Sequence, residues 1–63
     1  MAQNIVIGVE GDKVRFVPND RNAAKGVVGL EGEIVKRQDF IVHVKVGDER
    51  VYAQIKADVE VIS

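Results

Sequence analysis

Nucleophilic chemistry has almost nothing to work with in these 63 residues. There is no cysteine and no threonine, and the lone serine is Ser63 at the terminus, where chains fray. A Ser–His or Cys–His pair therefore cannot be assembled. With one histidine, His43, and no cysteine, the Cys/His ligand set of a structural zinc is missing as well. The carboxylates are scattered beside basic residues: Asp12 by Lys13, and Asp48-Glu49 by Arg50. A glycosidase-type pair would need a cleft. The segment Gly26-Val27-Val28-Gly29-Leu30-Glu31-Gly32 is glycine-rich, yet it lacks the Gly-Lys-Ser/Thr ending of a phosphate loop and no amphipathic helix follows it. The expectation is a protein that is not an enzyme and carries no cofactor or metal.

The elements that must position the remaining polar residues are strands. Thirteen valines and six isoleucines stand against a single leucine, Leu30. Val and Ile are stiff at χ1 and suit a pleated surface. The length allows one domain, and a chain this short buries only about 60% of the surface its unfolded form exposes. Without disulfides the core, or an oligomer, must supply the stability. Net charge is −1 with both signs mixed, and the isoelectric point of 5.7 lies far below the value of about 9 typical of a dedicated nucleic-acid domain. The apolar run Ile5-Val6-Ile7 is too short for a membrane span and lacks the basic flank of a signal peptide. A cytoplasmic location and no membrane partner are the default expectations.

Along the chain, residues 1–10 read as an N-terminal arm, with Ile5–Val9 a short edge strand or a loosely held segment, and residues 11–63 as the domain proper. Gly11-Asp12 reads as a turn. Asp12–Val17 alternates, with Val14 and Phe16 on one side, and Pro18 ends that strand. Asn19–Val28 has no clean period and reads as a long loop, with one helical turn at Ala23-Ala24-Lys25. Gly29 and Gly32 suggest a bend or a close backbone approach before a strand at Glu33–Arg37, with Ile34 inward. Arg37-Gln38-Asp39 is a tight connection. Phe40, Val42, Val44 and Val46 then form a strict period-2 inward face. Gly47-Asp48 matches a Gly-first two-residue hairpin turn, which sets Val44 opposite Val51, Val42 opposite Ala53 and Phe40 opposite Ile55. A four-residue loop, Gly47–Arg50, would keep the faces in phase with Val46 opposite Val51. Lys56-Ala57-Asp58 breaks the alternation and fits one 3₁₀ turn, and Val59 with Val61 or Ile62 closes the sheet.

The order strand, long loop, strand, hairpin, strand, short turn, strand resembles the SH3-like barrel over about residues 11–62. Gly11-Asp12-Lys13-Val14-Arg15, Gly29-Leu30-Glu31-Gly32-Glu33-Ile34-Val35 and Val59-Glu60-Val61-Ile62 are similar to several small barrel families. Among them are KOW modules of ribosomal and transcription-elongation proteins, the ferredoxin–thioredoxin reductase alpha chain and the small photosystem barrel subunit. Type B plasmid dihydrofolate reductase is similar too, and its pore carries a Gln-Ile-Tyr run. Gln54-Ile55 matches the first two positions, and Lys56 stands where that run has tyrosine. The resemblance implies an all-β, five-stranded SH3-like barrel. Such a barrel fills its interior with side chains.

Two partner surfaces follow. In the two-residue register the outer hairpin face sets Lys45 opposite Arg50 and His43 opposite Tyr52, with Ile41, Gln54 and Lys56 extending it. Like charges facing each other across strands are destabilising unless an anion or a carboxylate lies near. Basic residues around an aromatic are also the composition of a single-strand-binding platform. The second surface is the Asn19–Val28 loop, with Asp20, Arg21 and Lys25, since long loops between strands often carry binding. The expected function is a non-catalytic SH3-like interaction or accessory module with a protein partner. The alternatives are a KOW-like module acting on RNA or on the transcription or translation machinery, and an electron-transport accessory subunit or reductase-like oligomer. Proline-peptide recognition is not expected, because Phe16 and Phe40 both read as buried.

Overall fold

The computed structural model describes residues 8–62. In chain order its elements are β1 (Lys13–Phe16), α1 (Asp20–Lys25), β2 (Glu31–Gln38), β3 (Ile41–Val46), β4 (Glu49–Gln54) and β5 (Val59–Val61). The strands form one sheet in the order β4-β3-β2-β1-β5, and every pairing within it is antiparallel. Among the described residues no ladder closes the sheet. Its edge strands β4 and β5 share no ladder, and a single parallel bridge, Ile55 to Val59, links the chain just after β4 to the start of β5. Among the described residues no helix is long and apolar enough to cross a membrane. The expected arm or edge strand at Ile5–Val9 lies outside the described residues except for Gly8 and Val9, whose amides donate to Asp12 Oδ2 at 2.9 and 3.1 Å.

The inward positions build one core: Val14 and Phe16 from β1, Val27, Ile34 from β2, Val42 and Val44 from β3, Ala53, Ile55 and Val59. Each large apolar side chain taken fully out of water contributes about 1.5–3 kcal/mol, and Phe16 is the largest of them. The β3–β4 hairpin has the two-residue turn. Its register pairs Val42 with Ala53, Val44 with Val51, His43 with Tyr52 and Lys45 with Arg50, and Val46 pairs with Glu49 rather than Val51. Of the two turn residues only Gly47 takes a left-handed φ, +60°, as a Gly-first hairpin turn requires. Gly32 marks the close approach. A Cβ there would lie 2.5 Å from the Lys45 carbonyl oxygen and 2.6 Å from Val44, so β2 and β3 could not pack as they do around a larger residue.

Three expectations need correction. The second strand begins at Glu31 and runs to Gln38, and its turn to β3 is Asp39-Phe40 rather than Arg37-Gln38-Asp39. Asp39 takes φ +54°, a conformation that Asp tolerates far better than most residues, and this places the turn one residue later. Phe40 is consequently a turn residue and 73% exposed, not an inward anchor. Only its carbonyl continues the ladder, accepting from Ile55 N at 2.8 Å. Secondly, Asn19–Val28 is more ordered than a loop. Asn19 caps α1, accepting from Asn22 N at 2.7 Å, and Gly26 closes the helix in the left-handed region at φ 73°. Asp20 in the first turn and Lys25 in the last complement the helix dipole. Thirdly, His43, expected on a solvated face, is 7% exposed.

Candidate functional site

The outer face of the sheet can be read as a grid from the strand registers. One row crosses four strands as Lys13, Glu33, Lys45 and Arg50; the next holds Lys36, His43 and Tyr52; the third holds Gln38, Ile41 and Gln54. A bulge in β2 between Ile34 and Lys36 keeps the rows in step. The His43 and Tyr52 rings stack, with centroids 4.2 Å apart and planes 21° from parallel. Tyr52 covers the histidine while remaining 57% exposed itself, which accounts for the burial that sequence reasoning missed. Such a stack is worth about 0.5–1.5 kcal/mol beyond its buried area. His43 Nδ1 is buried and has no hydrogen-bond partner among the described residues. Around this pair Gln38, Asp39, Phe40, Ile41 and Gln54 line a shallow hollow of about 530 Å³.

Of the residues expected on this face, His43, Tyr52 and Gln54 therefore meet in one hollow, with Lys45 and Arg50 in the adjoining row. Lys45 also borders a charged depression of about 300 Å³ with Lys13, Glu31, Gly32 and Glu33. Lys56 does not join them. It sits in the turn after Ile55 with φ +73° and lines a separate hollow of about 380 Å³ with Ile55, Val59, Glu60 and Val61. Phe40 and Gln38 were missed. The clue in the sequence is Asp39, the residue best able to take the left-handed turn and so to expel Phe40 from the strand.

The second expected surface is largely engaged in holding the fold together. Asp58 is 2% exposed. Its Oδ1 accepts from Asn19 Nδ2 at 2.8 Å and from Arg21 Nε and Nη2 at 3.0 and 2.7 Å, and its Oδ2 accepts from Gln54 N at 2.8 Å. Its carbonyl accepts from Val17 N at 2.9 Å and from Asn22 Nδ2 at 2.8 Å. Burial pushes the Asp58 carboxyl up, but the hydrogen bonds from Arg21, the Gln54 amide and Asn19 outweigh it and hold the group below its usual value. The hydrogen bond to Asp58 and the attraction of its carboxylate likewise hold the Arg21 guanidinium above its usual value. Asn22 is fully buried. Its Nδ2 donates to both Val17 O (2.7 Å) and Asp58 O, while its Oδ1 has no partner among the described residues. Lys25 Nζ donates to the Tyr52 carbonyl at 2.8 Å. Of the three expected loop residues, Arg21 is thus tied to the turn before β5 and Lys25 to β4, and Asp20 alone faces solvent without such a tie.

These ties also protect the sheet's edge. The Gln54 amide donates to Asp58 Oδ2, the Gln54 carbonyl accepts from Asp58 N at 2.9 Å, and the Tyr52 carbonyl is taken by Lys25. Unpaired strand edges invite uncontrolled pairing, and half of the β4 edge is closed against it. Among the described residues no three His, Cys, Asp or Glu side chains are grouped to hold a metal ion. No family model, curated protein or solved structure matches this chain.

Proposed function

We propose that this chain is a non-catalytic interaction module of the SH3-like barrel type, and that its partner docks on the outer face of the β3–β4 hairpin. The strand order, the Gly-first hairpin and the corner bridge at Ile55–Val59 support the barrel reading. One observation carries the functional part: among the described residues Phe40 and Tyr52 are the two most exposed large hydrophobic side chains, and both line the hollow over His43. Aromatic residues are the side chains most enriched in interface cores. The α1 segment is the weaker candidate because its cations are committed to Asp58 and to the Tyr52 carbonyl.

A quantitative pull-down separates the two surfaces. Tagged wild type, a Phe40→Ser/Tyr52→Ser double variant and an Asp20→Lys variant are compared for retained partners. The double variant should lose them while Asp20→Lys keeps them, with all three proteins folded by circular dichroism. Retention of every partner by the double variant would overturn the assignment of the face.

A further inference from the structure

The two halves of the outer sheet face differ in charge. On the β5–β1–β2 side Arg15 lies between two carboxylates, 3.1 Å from Glu31 and 3.6 Å from Glu60, so that half is neutralised internally. On the β2–β3–β4 side stand Lys36, Lys45 and Arg50, with Lys13 of β1 beside them at the end of the Glu33 row and Glu33 the one carboxylate in their rows. None of those four cations is within ion-pairing distance of a carboxylate among the described residues. Asp48 lies in the β3–β4 turn and Glu49 at the start of β4, beyond these rows, while Asp39 in the β2–β3 turn lines the far side of the hollow. Unpaired cations, a stacked and upward-facing aromatic pair and two flanking amides are thus brought to one surface, although the whole chain is slightly acidic.

We infer that this face takes single-stranded nucleic acid, a reading that rests on the hairpin face being the docking surface. Bases stack on the Tyr52 ring, which His43 backs from below, and on Phe40 at the far side of the hollow. Phosphates lie along Lys36, Lys45 and Arg50. Gln38 and Gln54 each offer a donor and an acceptor on either side of Ile41. Every base has a flat face, and amide side chains can meet many edges, so the arrangement favours stacking over sequence readout. An acidic peptide would satisfy the cations but would leave the aromatic surface without planar groups to stack on it. A duplex keeps its bases stacked inside and would use the cations alone.

Fluorescence anisotropy with labelled oligothymidylate and oligouridylate of about 12 nucleotides, within the site sizes usual for such platforms, tests this. Wild type should bind with a Kd of about 1–100 µM near physiological salt, the range of non-specific phosphate-driven binding, and more tightly at low salt. Affinity should fall roughly 5–20-fold between about 50 and 200 mM salt if two or three phosphates are neutralised. Tyr52→Ala should weaken binding about 5–100-fold, Tyr52→Phe should restore it, and Arg50→Glu should weaken it and flatten the salt dependence. Affinity unmoved by Tyr52→Ala and Arg50→Glu, or by salt, would overturn the inference. If the wild type binds no oligonucleotide while lysate partners still depend on Phe40 and Tyr52, the occupant is a protein and only this inference falls. If the partners are also indifferent to those residues, the module reading falls with it.

Discussion

Asp58 and His43 are both buried polar residues next to β4, and their surroundings are opposite. Around Asp58 both carboxylate oxygens, the carbonyl and the amide have partners, drawn from β1's end, α1 and β4. Around His43 one ring nitrogen has none, and the cover is an exposed tyrosine rather than a second layer of structure. A buried polar group with all its bonds made specifies a fold. One with bonds unmade, under an aromatic lid and beside unpaired cations, adds little to stability. The first region is therefore scaffold and the second is the face proposed for docking, and the two should respond differently to substitution.

The largest expected effect is at the scaffold end. Asp58→Ala strands the Gln54 amide and takes from Asn19 Nδ2 one of its two acceptors, the Ala57 carbonyl at 3.0 Å remaining, while the more exposed Arg21 can rehydrate. A loss of about 2–4 kcal/mol follows from the cost of buried groups left unpaired. That is most of the roughly 3–5 kcal/mol available to a domain this small, so urea denaturation should find the variant largely unfolded at physiological temperature. A near-native midpoint would mean the Asp58 bonds do not hold the fold.

Acid should reach the same region. The carboxyl titrates lower in the folded chain than in the unfolded one, so the unfolded state binds the proton more readily. The contribution is then complete above the ordinary aspartate value of about 3.9 and disappears as pH falls through the lower folded value. Urea midpoints measured from neutrality down to about pH 2 should drop for the wild type below about pH 4. Asp58→Asn should start lower and change less across that window. Parallel curves for the two proteins would contradict the assignment.

The smallest effect belongs to the surface. Val44→Ala, in the core, should cost about 1–2.5 kcal/mol, whereas Phe40→Ala should shift stability by no more than about 0.5 kcal/mol, as for other exposed sites. A thermal melt of both decides it: a Phe40→Ala loss as large as that of Val44→Ala would put the phenylalanine back in the core and remove one wall of the proposed site.

Much of this was legible in the order of residues. Strand identity follows from the Val/Ile excess, and the alternation of Val42 and Val44 sets their inward face. The Gly47-Asp48 turn chemistry determines the register that brings His43 to Tyr52 and Lys45 to Arg50. All of these are local, because side chains alternate every residue and a hairpin turn spans only its neighbours. Alternation names a side, however, not the point at which a strand begins, and Phe40 shared the phase of the core while sitting in the turn. The role of Asp58 was hidden for another reason: its partners Arg21 and Asn19 are 37 and 39 residues away. The short segment Lys56-Ala57-Asp58 looks like any polar break until the chain has folded back on α1. By itself the sequence determined the strands, their faces and one hairpin register. Tertiary structure alone decided which polar residues are consumed in holding the sheet and which are left facing outward, because that depends on contacts between segments at opposite ends of the chain.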